Sequence, residues 1–429
     1  MTSWIMALIL SCATGFGAPQ ADDEEVALKV RINAAIDRGV DNLLNHQHRD
    51  GSWTGARFGA YKAGPTAFTA YTLVESGVSI DAPAIRLALA YLKEHPSKMT
   101  YSAGSVLMLL AEIHAQRPLS GELKDLAVDT FEQIIAWEST TIPGSWGYPG
   151  PPLDLSCTQF AALGLLAADR IGLKVPLETM QKTALTVATL YQDEPVRSPV
   201  HLASRGKKRG PKPFIAGYAY KPGNKEMVRG SMTVAGLGIL EICRMVSGRK
   251  LGRKAIKASE DSIELGMGWL EANWTLTENV RADKGGTKPL FYLWGVERLA
   301  AFLDTDEFFG FQWYEPGAVT ILDLEKDKKG TWGHYDESCL ALLFLNRATR
   351  AAVSGRKKAS VETKWNQNEG EVKFRVTGNM DATAWITDLE RNDPIASVEW
   401  LLDGESHAKL KGDGKKSWKG ERFPTRWSE

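Results

Sequence analysis

GSWGYPGPPLDLSCTQFAALGL, residues 144–165, returns near the end of the chain as GTWGHYDESCLALLFL, residues 330–345. Both copies run Gly-Ser/Thr-Trp-Gly-aromatic, cross a loop, reach Asp-x-Ser-Cys and open an apolar run. Gly51-Ser52-Trp53 is a third echo. Tyr218-Ala219-Tyr220, leading to Gly230-Ser231-Met232-Thr233-Val234-Ala235, is a fourth. Such self-similarity marks a chain built from copies of one unit, each burying its apolar face against its neighbours. The unit here is a loop bearing Gly and Trp, followed by an enclosed helix.

The stretches between the echoes supply the other half of the unit. Ile32, Ile36, Val40, Leu43 and Leu44 step by four and three between charged residues, the spacing of a one-faced helix. Comparable amphipathic runs occupy 83–94, 123–137, 177–191, 259–274 and 316–324. Runs apolar on nearly all sides occupy 66–75, 102–114, 156–168, 231–246, 289–303 and 337–347. Stacked hairpins of this kind could form an open solenoid, but its inner helices would keep a wet concave edge. Inner runs as apolar as 160–168 predict a closed ring instead: a mainly α chain, an α/α toroid of about six helical hairpins over residues 25–352.

Composition sets outer limits. With 429 residues, 43% hydrophobic and 24% charged, the chain has ample length for a large core. Lys plus Arg and Asp plus Glu both number 52, which argues against a general nucleic-acid or membrane-surface binder. The apolar run 4–17 ends in small residues before an acidic segment, too short to span a bilayer and shaped like a secretory leader. Its n-region has no Lys or Arg. Cleavage after Ala18 or Ala21 gives a signal peptide over 1–21 and a secreted or periplasmic protein, and Cys12 offers a lipid-attachment point. No transmembrane segment is expected. Cys157, Cys243 and Cys339 remain, an odd number in apolar runs, and are expected to be buried free thiols.

Two segments depart from the repeat. Residues 191–230 form a long connection holding SRGKKRGPKP, expected to be a solvated loop or a basic lid over one mouth of the ring. Beyond Arg350 the helical period stops, and Val372, Phe374 and Val376 alternate with charged residues before SVEWLLDGE. Those are strand patterns, so 356–429 reads as a small β-rich appendage with a polar tail.

GSW, GSWGY and GTWG, each just before a helix, resemble the Gln/Gly-Trp repeats of the squalene cyclase and prenyltransferase superfamily. DLSCTQFAALGL, GSMTVAGLGIL, FYLWGVERLAAFL and CLALLFLNRA look like the inner helices of its exported bacterial members. The resemblance covers roughly residues 30–352. It implies the toroid and a central cavity for an apolar or isoprenoid-like ligand, while the fold itself hosts unrelated chemistries.

Cyclases of that superfamily that protonate an alkene or epoxide carry Asp-x-Asp-Asp-Thr at the start of an inner helix. Here Asp154-Leu155-Ser156-Cys157-Thr158 keeps the first Asp and the Thr, and Asp336-Glu337-Ser338-Cys339 restores one acid. The alternative role for Asp154 and Asp336 is helix capping. The zinc of prenyltransferase β-subunits is held by Asp, Cys and His. His334, Asp336 and Cys339 are those types, but at a spacing one residue too long, so no cofactor is expected.

Tyr148, Tyr218, Tyr220, Tyr292 and Trp294 stand at or near inner-helix starts and are candidates to line an aromatic mouth. Trp53, Trp146 and Trp332 are expected to pin loops to outer helices instead. Glu297, beside Arg298, is the one acid inside an enclosed run and a functional candidate. Two other readings compete with the apolar ligand. A carbohydrate-active toroid would use Asp154 and Asp336 as its carboxylate pair. A non-catalytic module would use the appendage to reach a cell-surface partner.

Overall fold

The computed structural model describes residues 21–53, 63–202, 211–223, 228–280 and 289–347, together with the backbone of six strands between 360 and 419. The leader over 1–21 thus lies almost wholly outside the described residues. The chain is mainly helical. Part-exposed helices, here called outer, alternate with enclosed ones, here called inner, as α1 (Ala21–Asn45), α2 (Ala63–Glu75), α3 (Pro83–Glu94), α4 (Thr100–Gln116), α5 (Gly121–Ala136) and α6 (Leu155–Ile171). The same order continues through α7 (Leu177–Thr186), α8 (Gly230–Ser247), α9 (Arg253–Ala272), α10 (Pro289–Phe302), α11 (Tyr314–Leu324) and α12 (Tyr335–Leu345).

Burial follows the sequence periodicity. Amphipathic α3 turns Ile85, Ala88, Leu89 and Leu92 inward and leaves Leu87 exposed. The even-numbered helices are covered on every side, as where each residue from Leu155 to Ala168 is buried. They pack in chain order: α2 on α4, α4 on α6, α6 on α8, α8 on α10, α10 on α12, and α12 back on α2. The stretch Gly230–Leu251 is long and apolar enough to cross a bilayer, but most of it is buried among these neighbours. The three thiols are buried and free.

The Trp-bearing loops explain how each outer helix is fixed to its inner partner. The indole Nε1 of Trp53, Trp146 and Trp332 donates to the main-chain oxygens of Leu43, Ile134 and Ile321, at 2.7, 2.8 and 2.7 Å. Each acceptor lies in the last four residues of an outer helix, where carbonyls have no partner within the helix. At Ile134 and Ile321 the tryptophan thus satisfies an orphan carbonyl while filling the corner, and at Leu43 it shares the carbonyl with the His46 N–H at 3.2 Å. Its own backbone N–H is accepted by Thr66, Thr158 or Ser338 in the first turns of the inner helix. Tyr218 repeats the second bond, donating its N–H to Thr233 at 3.2 Å.

Glycine opens each of these loops for a geometric reason. Gly51, Gly144 and Gly330 have φ of +86, +79 and +70°. A Cβ would overlap the backbone of α3 at Leu87, of α7 at Lys182 and Thr183, and of α1 at Arg38. So each loop rests on the outer helix of the following pair, and the loop before α12 rests on α1.

The connection after α7 is not simply a solvated loop. Val196–Arg197 pairs antiparallel with Phe214–Ile215. Leu202, Ile215, Ala219, Val228 and Trp269 of α9 form a small apolar cluster of their own. The basic residues 203–210 lie outside the described ones. Near the C-terminus, Ser360–Asn366 pairs antiparallel with Glu371–Thr377, which runs parallel to Ser397–Leu402.

Candidate functional site

Phe68, Phe160 and Trp294 each occupy the sixth position of their helix, on α2, α6 and α10. These are alternate members of the packing order, and the three rings meet. Phe68 lies 6.1 Å from Phe160 and 5.5 Å from Trp294, and Phe160 lies 5.8 Å from Trp294, centroid to centroid. All three are buried. Such pairs contribute about 0.5–1.5 kcal/mol each beyond area burial. Tyr101, at the start of α4, sits 4.2 Å from Phe160 and stacks on Tyr148 at 5.8 Å. Tyr148 is 37% exposed. A continuous track of rings therefore runs from the surface to the triangle.

Asp154 stands beside that track, 2% exposed. Its Oδ1 accepts from the backbone N–H of Cys157 at 2.6 Å and from Ser156 Oγ at 2.7 Å, and its Oδ2 accepts from Tyr220 OH at 3.1 Å. The first bond makes it the N-cap of α6. Tyr220 lies under the Arg229 guanidinium, 5.5 Å from the ring centroid. Burial pushes the Tyr101, Tyr148 and Tyr220 hydroxyls up, with Asp154 adding to each, so all three are neutral donors at ordinary pH. Burial and the nearby Asp154 carboxylate push the Cys157 thiol up as well, which makes it a poor nucleophile.

No family model matches this chain, and no curated protein matches it either.

The remaining candidates scatter. Tyr218 is fully buried between α8 and α9, against Gly236 and Gly266, with its OH on Ser262 Oγ at 2.5 Å. It is a packing residue holding a tryptophan's place. Tyr292 is buried against Gly230 at the start of α8. Glu297 is 1% exposed on α10. Asp336 is in the first turn of α12 and does not cap it. Glu337 does so, accepting the His334 N–H at 3.2 Å. His334 is exposed, whereas Cys339 is buried with its Sγ on Thr69 at 3.6 Å. Among the described residues, no three His, Cys, Asp or Glu side chains gather as a metal site. Asp154 and Asp336 belong to α6 and α12, with α2 and α4 between them in the packing order one way and α8 and α10 the other. A cleft of about 380 Å³ lies between α9 and the hairpin after α10, lined by Met267, Leu303, Phe308 and Phe309, and holds none of these candidates.

Sequence reasoning passed over Phe68, Tyr101 and Phe160. The signal was available: aligning helix starts puts a large ring at the sixth place of every second inner helix.

Proposed function

We propose that the chain is an α/α toroid of six helical hairpins that binds an apolar, isoprenoid-like ligand where its inner helices begin, as its likeness to the squalene cyclase and prenyltransferase superfamily implies. The return of α12 onto α2, and of the Gly330 loop onto α1, supports the ring. One observation carries the ligand class: the aromatic track from half-exposed Tyr148 through Tyr101 to Phe160. Rings in that order offer apolar faces to an alkyl or prenyl chain with little polar surface to desolvate.

Binding is the activity assigned here, in preference to turnover. A proton donor for an alkene must be held neutral. Asp154 instead has both oxygens engaged as acceptors by the protein's own donors, the Cys157 N–H, Ser156 and Tyr220, in the role of a helix cap. Residues 356–429 are proposed as a β-rich appendage, and a location outside the cytoplasm is proposed from the leader-like sequence of the N-terminus.

Farnesol titrated into the full chain tests the reading through tryptophan fluorescence, with Trp294 as the reporter at the end of the track. Saturable quenching that weakens in Tyr148→Ser and Tyr101→Ala is expected. Quenching that is unsaturable, or identical in both variants, would overturn it.

A further inference from the structure

Arg298 lies one helical turn beyond Trp294 on α10, four residues on, so both side chains share one face. That face is the one Trp294 turns toward Phe68 and Phe160. The guanidinium carbon sits 3.3 Å from the Trp294 ring centroid, and the residue is 3% exposed. Among the described residues, neither Nη1 nor Nη2 has a hydrogen-bond partner.

A buried guanidinium in that state is costly. Arginine holds its proton where lysine or histidine would give it up, and an uncompensated charge in a low-dielectric interior is strongly unfavourable. Burial lowers the Arg298 pKa to about 9, opposed by Glu297, Tyr71 and Tyr101, so the side chain is still cationic at neutral pH. The Trp294 face compensates part of the charge. It offers nothing to the two terminal nitrogens, which form a flat fork suited to two oxygens of one anion.

We propose that Arg298 is an internal receptor for an oxyanion, a carboxylate or phosphate. In the ligand of the proposed function, this anion is the head group of an amphiphile whose apolar tail lies along the aromatic track. The assignment rests on that reading for the tail but not for the anion. Head group and tail would then be recognised by adjacent residues of one helix, Arg298 for charge and Trp294 for apolar surface.

The experiment uses the full chain with four probes: dodecanoate below its micelle concentration, its uncharged methyl ester, acetate and inorganic phosphate. Melting temperature and tryptophan fluorescence are read for the wild type, Arg298→Met and Arg298→Lys. Dodecanoate is expected to bind the wild type more tightly than the ester does. Arg298→Met should weaken dodecanoate about tenfold to a hundredfold, the value of charge-assisted hydrogen bonds, and leave the ester unchanged.

Equal binding of acid and ester by wild type and Met variant overturns the anion site while leaving the apolar-ligand reading intact. If acetate or phosphate stabilises the wild type but not the Met variant, and neither dodecanoate nor the ester binds, the anion site stands and the apolar reading falls. If Arg298→Met does not fold, Arg298→Lys decides alone: the fork is lost, and an unchanged preference for acid over ester is the overturning result.

Discussion

Arg38 on α1 and Glu325 after α11 form a two-pronged ion pair, Nε to Oε1 at 2.8 Å and Nη2 to Oε2 at 2.7 Å, across 287 residues of sequence. Glu325 Oε1 also accepts the Gly330 N–H at 2.9 Å. One carboxylate thereby joins the first helix to the loop that opens the last. Its side chain is fully buried, while the Arg38 side chain is 33% exposed.

Because water can take over part of Arg38 but none of Glu325, Glu325→Gln should destabilise by about 1–3 kcal/mol, mostly through the loss of charge-assisted bonds. Burial raises the Glu325 pKa, but Arg38, the Gly330 N–H and Lys328 together outweigh it and hold the carboxyl below its ordinary value. A depressed folded pKa gives stability that is complete above the unfolded value of about 4.3 and drains as pH falls through the folded one. Acid unfolding followed by circular dichroism should therefore separate the two proteins least at low pH. A constant gap between neutral pH and pH 3 would remove Glu325 from the acid transition.

Gly330 and Gly121 distinguish two causes of strain. Both have positive φ, +70 and +53°. A Cβ at Gly121 meets nothing, whereas one at Gly330 overlaps the Arg38 carbonyl and the Gly39 nitrogen. Gly121→Ala should cost about 1 kcal/mol from the backbone conformation alone. Gly330→Ala must also push α1 from the α11–α12 loop and should lower the melting temperature considerably further. Equal losses would mean that the seam between α1 and this loop yields freely.

The tryptophan corners make a third comparison. Trp146→Phe and Trp332→Phe each strand a carbonyl in the last turn of an outer helix, at Ile134 and Ile321, whereas Trp53→Phe leaves the Leu43 carbonyl its bond from the His46 N–H at 3.2 Å. The first two should cost about 1–3 kcal/mol each for the stranded acceptor, and Trp53→Phe should cost less, because its acceptor keeps a partner. Thermal melts suffice, and equal losses at all three corners would mean that the His46 bond does not relieve the Leu43 carbonyl.

Those corners also show what could be read from the chain. Gly-Ser/Thr-Trp before an apolar run specified a loop, and the 3.6-residue period specified the helices: 83–94 was expected and Pro83–Glu94 is found. The site was less legible. Tyr218 and Tyr220 are two residues apart, yet one packs between α8 and α9 and the other donates to Asp154. Sequence spacing cannot assign those directions, since they depend on which neighbour offers room, here Gly236 and Gly266. The connection after α7 misled for a related reason. Its charge suggested solvent, but Leu202 and Ile215 find Trp269 at long range.

Asp154 offers the sharpest test of cap against acid. As a cap, its requirement is an oxygen for the Cys157 N–H, which Asn supplies nearly as well as Asp. Asp154→Asn should therefore keep most of the stability, losing mainly the charge-assisted part of the bonds from Ser156 and Tyr220. Asp154→Ala removes the acceptor altogether and should cost about 1–2 kcal/mol, within the range for lost N-caps. Tyr220→Phe, which deletes one donor while leaving the cap, should fall between wild type and Ala. Farnesol binding should follow stability only weakly across the series, because in the proposed site the rings and not the carboxylate meet the tail. If Asn proves as damaging as Ala to the fold, the negative charge itself is required at the start of α6. Tyr220 and the nearby Arg229 would then be the groups whose arrangement depends on it.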